Sequence, residues 1–157
     1  IKIKCLVIKH ILTNFTNNIK NMSYKIYTSY FGNLRKLHEV GIVPISIARW
    51  NPRWYNGFTM QELAPTKYML SDACSTEEYI SMYKQILSGM YSGTILKSIE
   101  SMGKGKDVAL LCYEKPGDFC HRHMFAEWFT KTTGIPVEEF VAPVEKKIPQ
   151  HNEGCLF

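Results

Sequence analysis

Asp107–Gly134 reads DVALLCYEKPGDFCHRHMFAEWFTKTTG. The opening Asp107–Cys112 is too short for a helix and apolar enough to be a strand buried on both faces, as parallel sheets require. Tyr113–Gly117 carries the Pro-Gly pair of a loop. From about Phe119 to Thr133 the apolar residues Met124, Phe125, Trp128 and Phe129 recur at helical spacing, and Gly134 is the expected stop. The stretch therefore predicts a buried strand handing over to a helix at Cys120-His121-Arg122, and a buried strand needs neighbours.

Working outward, Tyr24–Ser29 (YKIYTS) and Ile42–Ala48 (IVPISIA) read as two more strands, with a short helix Leu34–Val40 capped by Asn33 and closed by Gly41 between them. Ser75-Thr76-Glu77-Glu78 starts a longer helix whose stripe is Tyr79, Met82, Tyr83, Ile86, Leu87 and Met90. A further helix spans about Thr94–Met102, and Val137–Val141 reads as a last strand. Strands alternating with helices imply right-handed crossovers and a mostly parallel sheet covered on both sides. The expected fold is α/β, a three-layer sandwich around a small sheet of about four strands. Residues 1–22 read as an upstream or disordered extension, 23–141 as a single α/β domain and 142–157 as a tail. Ligands in such folds bind beyond the carboxyl ends of the strands, which singles out the loops Tyr30–Asn33, Arg49–Gly57 and Tyr113–Phe119.

Composition narrows the class. With 157 residues, 45% hydrophobic and 21% charged, the chain is large enough to bury a core without staples, and no window resembles a membrane span of about 18 apolar residues. The net charge of +5 says little about partners: four of the 19 basic residues and none of the 14 acids fall within residues 1–21, leaving the domain itself nearly neutral. Five dispersed cysteines without a CxxC pair fit free thiols in a reducing compartment, so a cytoplasmic location is expected.

The chemistry concentrates at the strand–loop–helix junction. N–H groups in a first helical turn are unpaired and the helix dipole is positive there, which favours anions. Arg122 adds a guanidinium fork, and the same field favours a thiolate at Cys120. A helical wheel puts His121 on the apolar side, toward sheet and cleft, and His123 opposite, beside Glu127 at i,i+4. The candidate catalytic residues are Cys120, His121, Arg122 and Glu114, with His121 as general acid/base, Cys120 as nucleophile or redox-sensitive thiol, and Glu114 as a second acid/base.

The candidate ligand-binding residues are Arg49, Trp54, Tyr55, Thr28, Ser29, Cys112 and Lys115. Arg49–Gly57 (RWNPRWYNG) holds two of the three tryptophans and two arginines in one loop, where flat side chains stack on bases at about 1–3 kcal/mol each. The competing reading is a loop folded onto its own aromatics. No metal is expected as the first reading. The alternative is zinc on Cys112, Cys120 and His121 or His123, with His123 the first choice; against a metal, adjacent residues of one helix such as Cys120 and His121 diverge by about 100° and do not easily share one ion. Gly103-Lys104-Gly105-Lys106 lacks phosphate-loop spacing and reads as a connector.

Cys112 followed by Cys120-His121-Arg122, together with IYTSYFGNL (Ile26–Leu34), ISIARWNPRWYNG (Ile45–Gly57) and Leu63-Ala64-Pro65, resembles compact members of domain-of-unknown-function family 488. The resemblance covers about Tyr24–Val141 and implies an α/β domain without fixing an activity or cofactor. Longer members tend to end the second strand in Asp-Val-Arg; here Ile47-Ala48-Arg49 lacks the acid and keeps the arginine.

Three functions compete at this level. The first is a pocket that binds or acts on a nucleotide-like or phosphorylated ligand, with Arg122 holding the anion and Arg49, Trp54 and Tyr55 closing over it. The second is a non-catalytic nucleic-acid-associated module. The third is a structural Cys/His cluster, with function carried through a protein partner. A small anionic ligand is the expected partner, with nucleic acid as the alternative, and no membrane is expected.

Overall fold

The computed structural model describes residues 22–143. Of the expected extension over residues 1–22 and tail over 142–157, residues 1–21 and 144–157 lie outside the described residues. Five parallel strands form one sheet: β1 (Ile26–Tyr30), β2 (Val43–Ser46), β3 (Phe58–Thr59), β4 (Val108–Cys112) and β5 (Val137–Glu139), in the order β3-β2-β4-β1-β5. Four strands match the sequence reading. The fifth, β3, is a two-residue edge inside a stretch too short and too polar to announce a strand, and it pairs only through Ile45–Phe58 and Ser46–Thr59.

Register sorts each strand's side chains onto two faces. Ile26 pairs with Val108 and Ile45 with Leu110, and all four point into the larger core beneath α2 (Thr76–Ser88), α3 (Ser92–Gly103) and α4 (His121–Thr133). Ala109 and Leu111 alternate to the opposite face and meet Phe31, Leu37 and Tyr55 under α1 (Leu34–Glu39). The result is the expected three-layer α/β sandwich. Β4, central and buried along its whole length, is the strand that the uninterrupted apolar run predicted. No helix among the described residues is long and apolar enough to cross a membrane.

Local chemistry sets the element ends. Ser75 and Glu78 form a reciprocal capping box at the start of α2, which satisfies two otherwise orphaned donors. Gly134 ends α4 with φ +75, a left-handed conformation that costs glycine little. Gly103 ends α3 where a Cβ would come within 2.7 Å of Val108 Cγ1, so only glycine lets the helix end lie against β4.

The chain leaves β1 toward β2 through α1 on one face, and leaves β4 toward β5 through α4 on the other. Adjacent parallel strands whose connections depart in opposite directions open a crevice at their carboxyl ends. Cys112 is the last residue of β4, at the edge of that crevice.

Candidate functional site

Cys112 ends β4, Cys120 is the residue before α4, and His121 opens that helix. All three are buried. The sequence reading separated Cys120 and His121 by a helical step. Cys120 instead has extended backbone, φ −153 and ψ 142, so its side chain is not set by the helix and turns back to the same spot as His121. Both sulfurs lie 3.7 Å from His121 Nδ1. The imidazole Nε2 is 2.9 Å from the Ile47 carbonyl. A carbonyl can only accept, so Nε2 carries the proton and, in the neutral ring, Nδ1 offers its lone pair to the sulfurs.

Glu114 completes the cluster. Its Oε2 accepts from the Cys112 thiol at 2.7 Å and from the Cys120 thiol at 3.0 Å. The two sulfurs consequently differ. The hydrogen bond from Cys112 lowers the Cys120 thiol to about 6; burial opposes this and His121 reinforces it. Cys112, donating to Cys120 and buried beside it, is pushed far up. Glu114 stays below its ordinary value: burial works to raise it, and the two thiol hydrogen bonds overcome that.

A hollow of about 190 Å³ opens beside this cluster, lined by Leu70, Cys74, Ser75, Thr76, Tyr79, Glu114, Phe119 and Cys120. Cys120 and Glu114 reach it, while Tyr79 and Phe119 meet edge to face at 5.3 Å across it. Tyr83 lies behind, its ring edge-on to His121 at 5.2 Å and its hydroxyl donating to the Leu63 carbonyl at 2.8 Å. The sequence placed Tyr79 and Tyr83 on an apolar stripe; the polar ends of those side chains decide what they do here.

Arg122 does not face the hollow. It is fully buried, and its guanidinium donates to Glu139 through Nε (3.3 Å) and Nη2 (3.2 Å), to the Glu114 carbonyl (2.7 Å) and to the Lys115 carbonyl (3.2 Å). Burial works against its charge, and Glu139 more than restores it. Arg122 thus straps the 113–119 loop to β5, which corrects the expectation that it holds a ligand anion: four of its N–H groups are already committed. Among the described residues no buried side-chain nitrogen or oxygen lacks a partner.

Glu139, which the sequence reading passed over, is the hub of this network. It also accepts from Thr28 Oγ1 at 2.7 Å and pairs with His123 at 3.2 Å. His123 therefore faces Glu139 rather than Glu127, and zinc ligation by Cys112, Cys120 and His123 is corrected, because His121 occupies the position beside the sulfurs. The one signal available was Glu139's position at i,i+2 from Val137 in a strand, on the side that meets α4.

The remaining expected ligand residues scatter. Thr28 serves Glu139 rather than a ligand, and Ser29 accepts from Asn33 Nδ2 at 3.2 Å. Lys115 is exposed and contributes its carbonyl to Arg122. Tyr55 is buried, and its hydroxyl donates to the Phe58 carbonyl at 2.7 Å, so it cannot close over a ligand. Arg49 and Trp54 are exposed, but Trp54 packs on Phe31, which packs on Tyr113. Tyr113 alternates with Cys112, so this aromatic group lies across the end of β4 from the sulfurs. The structure brings Cys112, Glu114, Cys120 and His121 together and leaves the tryptophan loop on the other side.

Comparison with known proteins agrees with the fold and the motif. Residues 31–133 match the family model described as the Active DUF488-N3 subclade, and no curated protein or solved structure matches. The match spans well over half the chain and contains the strand, the loop and both halves of the Cys…Cys-His-Arg motif. The chain belongs to domain-of-unknown-function family 488.

Proposed function

We propose that this domain is an enzyme of thiol chemistry, in which the Cys120 sulfur attacks an electrophilic centre of a small molecule admitted through the hollow beside the start of α2. The observation that carries this reading is the placement of Cys120 Sγ between the hollow and His121 Nδ1, with the Ile47 carbonyl fixing which imidazole nitrogen faces it. The thiol proton passes to Nδ1, the sulfur forms the new bond, and the substrate's leaving group departs with the displaced electron pair. Cys112 donates to Glu114 beside the Cys120 sulfur, and Glu114, which accepts from both cysteines, is the second acid/base. The word active in the description of the matching family model fits a chemistry-bearing member.

For the substrate we infer a nucleotide-like or otherwise phosphorylated small molecule. Tyr79 and Phe119 offer flat walls for a ring. The first-turn N–H of Thr76, which has no intrahelical partner, opens on the same hollow.

Alkylation by iodoacetamide tests the thiol reading. Cys5 and Cys155 are first replaced by serine, and the protein is held in chelator at neutral pH. Cys120 is expected to react first and at least 10-fold faster than Cys74, with His121→Ala slowing it to the Cys74 rate. Cys74 is the natural competitor, being half-buried at the same hollow; if it reacts first, Cys120 is not the nucleophile.

A second reading is favoured by one observation. Trp50 and Trp54 are 56% and 61% exposed on the loop that also presents Arg49 and Arg53, a combination suited to stacking on single-stranded nucleic acid.

A further inference from the structure

Three metal-ligating donor atoms converge where β4 hands over to α4. Cys112 Sγ, Cys120 Sγ and His121 Nδ1 all lie within 4.8 Å of one another, and both S···Nδ1 distances are 3.7 Å. With Zn–S near 2.3 Å and Zn–N near 2.0–2.1 Å, a tetrahedral site has S···N edges of about 3.5–3.6 Å. The spacing here exceeds that edge by only about 0.1–0.2 Å. A rotamer adjustment of either cysteine closes the gap.

The surroundings match as well. A metal-bound histidine generally donates its second ring N–H to a carbonyl or carboxylate, which fixes the tautomer and aims the lone pair. His121 does so through Nε2 to the Ile47 carbonyl. The Glu114 carboxylate reaches both sulfurs from the loop. Its 2.7 and 3.0 Å contacts are those of a hydrogen-bond acceptor, shorter than the roughly 3.5 Å S···O edge of a coordination tetrahedron. An ion arriving between the sulfurs removes the thiol protons that Glu114 now accepts and leaves its oxygen at the fourth corner. Arg122, the nearest buried cation, is paired with the Glu139 carboxylate at 3.2 Å.

We infer that Cys112, Cys120 and His121 form a site for a soft divalent cation of the zinc class, with Glu114 as fourth ligand. On binding, each thiol that still carries a proton releases it to water, the two Zn–S and the Zn–N bonds form, and no redox change occurs. A consequence follows for reactivity. Zinc takes the lone pairs of Cys120 and His121 on which the proposed nucleophile depends, so a loaded centre and a reactive one exclude each other, and zinc acts as a reversible mask. The masking rests on the thiol-enzyme reading; the coordination does not.

The test uses the full chain and Zn²⁺ and Co²⁺ as probes. Competition with a chromophoric chelator is expected to give one zinc per chain, and Co²⁺ to give the thiolate charge-transfer and d–d bands of a tetrahedral site. Cys112→Ser and His121→Ala should each weaken binding at least 10-fold, whereas His123→Ala should leave it unchanged. Because those variants risk misfolding, a second readout uses the unaltered site: zinc should protect Cys112 and Cys120 from alkylation and leave Cys74 reactive. Absence of stoichiometric zinc, an octahedral cobalt spectrum, equal protection of Cys74, or loss of binding in His123→Ala would each overturn the assignment. Fast Cys120 alkylation in chelator without zinc binding defeats the metal site alone. Zinc binding with a sluggish Cys120 in chelator defeats the nucleophile alone.

Discussion

The carboxyl rim of the sheet has two sides built from similar residues and organised in opposite ways. On the α4 side, Arg122 is fully buried and committed to Glu139 and two carbonyls, and among the described residues no buried side-chain nitrogen or oxygen lacks a partner. On the α1 side, Arg49 and Arg53 are exposed, as are Trp50 and Trp54, and the loop is held from beneath by Asn51 and Tyr55. A guanidinium among cysteines suggests an anion site by composition, yet here it is the scaffold. The lesson is that the arginine free to meet a partner is the one without a carboxylate across the sheet from it.

The largest expected effect breaks this comparison at Arg122. Arg122→Ala leaves Glu139 without its buried cation and two loop carbonyls without donors, and removing one partner of a buried pair costs about 3–5 kcal/mol. Arg122→Lys should recover less than half of that, since a point charge cannot reproduce four directed bonds. Arg49→Ala on the opposite side should stay within about 0.5 kcal/mol. Urea denaturation measures all three. An Arg122→Ala protein as stable as its parent would return this side chain to the list of ligand-binding groups.

The same contrast explains what could be read from the sequence. Β4 and α4 were legible because burial on both faces leaves a continuous apolar run and because Gly134 punctuates the helix. The convergence of Cys112, Cys120 and His121 was half legible: the spacing marked the junction, but the wheel assumed that Cys120 was already helical, and its extended backbone is a tertiary outcome. Glu139 was not legible, because a carboxylate on a three-residue edge strand looks solvent-facing until α4 is packed against it. The role of Tyr55 was misjudged for a related reason. Local sequence shows that an aromatic lies in a loop, but not that β2 and β3 supply carbonyls for its hydroxyl.

Trp54 sharpens the comparison from the other side. Its contact with Phe31 is a single edge-to-face pair at 6.0 Å, and the ring is mostly in water, so Trp54→Ala should lower stability by no more than about 0.5 kcal/mol. If the loop is a stacking platform, the same change should weaken binding of a short single-stranded oligonucleotide by about 1–3 kcal/mol. Fluorescence anisotropy at two salt concentrations reads this. Binding that ignores Trp54 counts against the loop as a stacking platform.

The most local effect concerns how the exposed loop is held. Ser46 Oγ donates to Asn51 Oδ1 at 2.5 Å, and Asn51 Nδ2 donates to Thr59 Oγ1 at 2.9 Å, so one side chain ties the loop to both β2 and β3. Asn51→Ala breaks both bonds. Asn51 itself is exposed, so water replaces part of what is lost, and the cost should be about 1 kcal/mol. Ser46 is buried and keeps its acceptor role toward the Ala48 N–H, which limits the damage to the loop. Hydrogen exchange should therefore quicken over residues 49–59 and stay unchanged in β4 and α4. Faster exchange at Cys112 or His121 would mean that the two sides of the rim are mechanically coupled, and that the tryptophan loop reports on the sulfur centre after all.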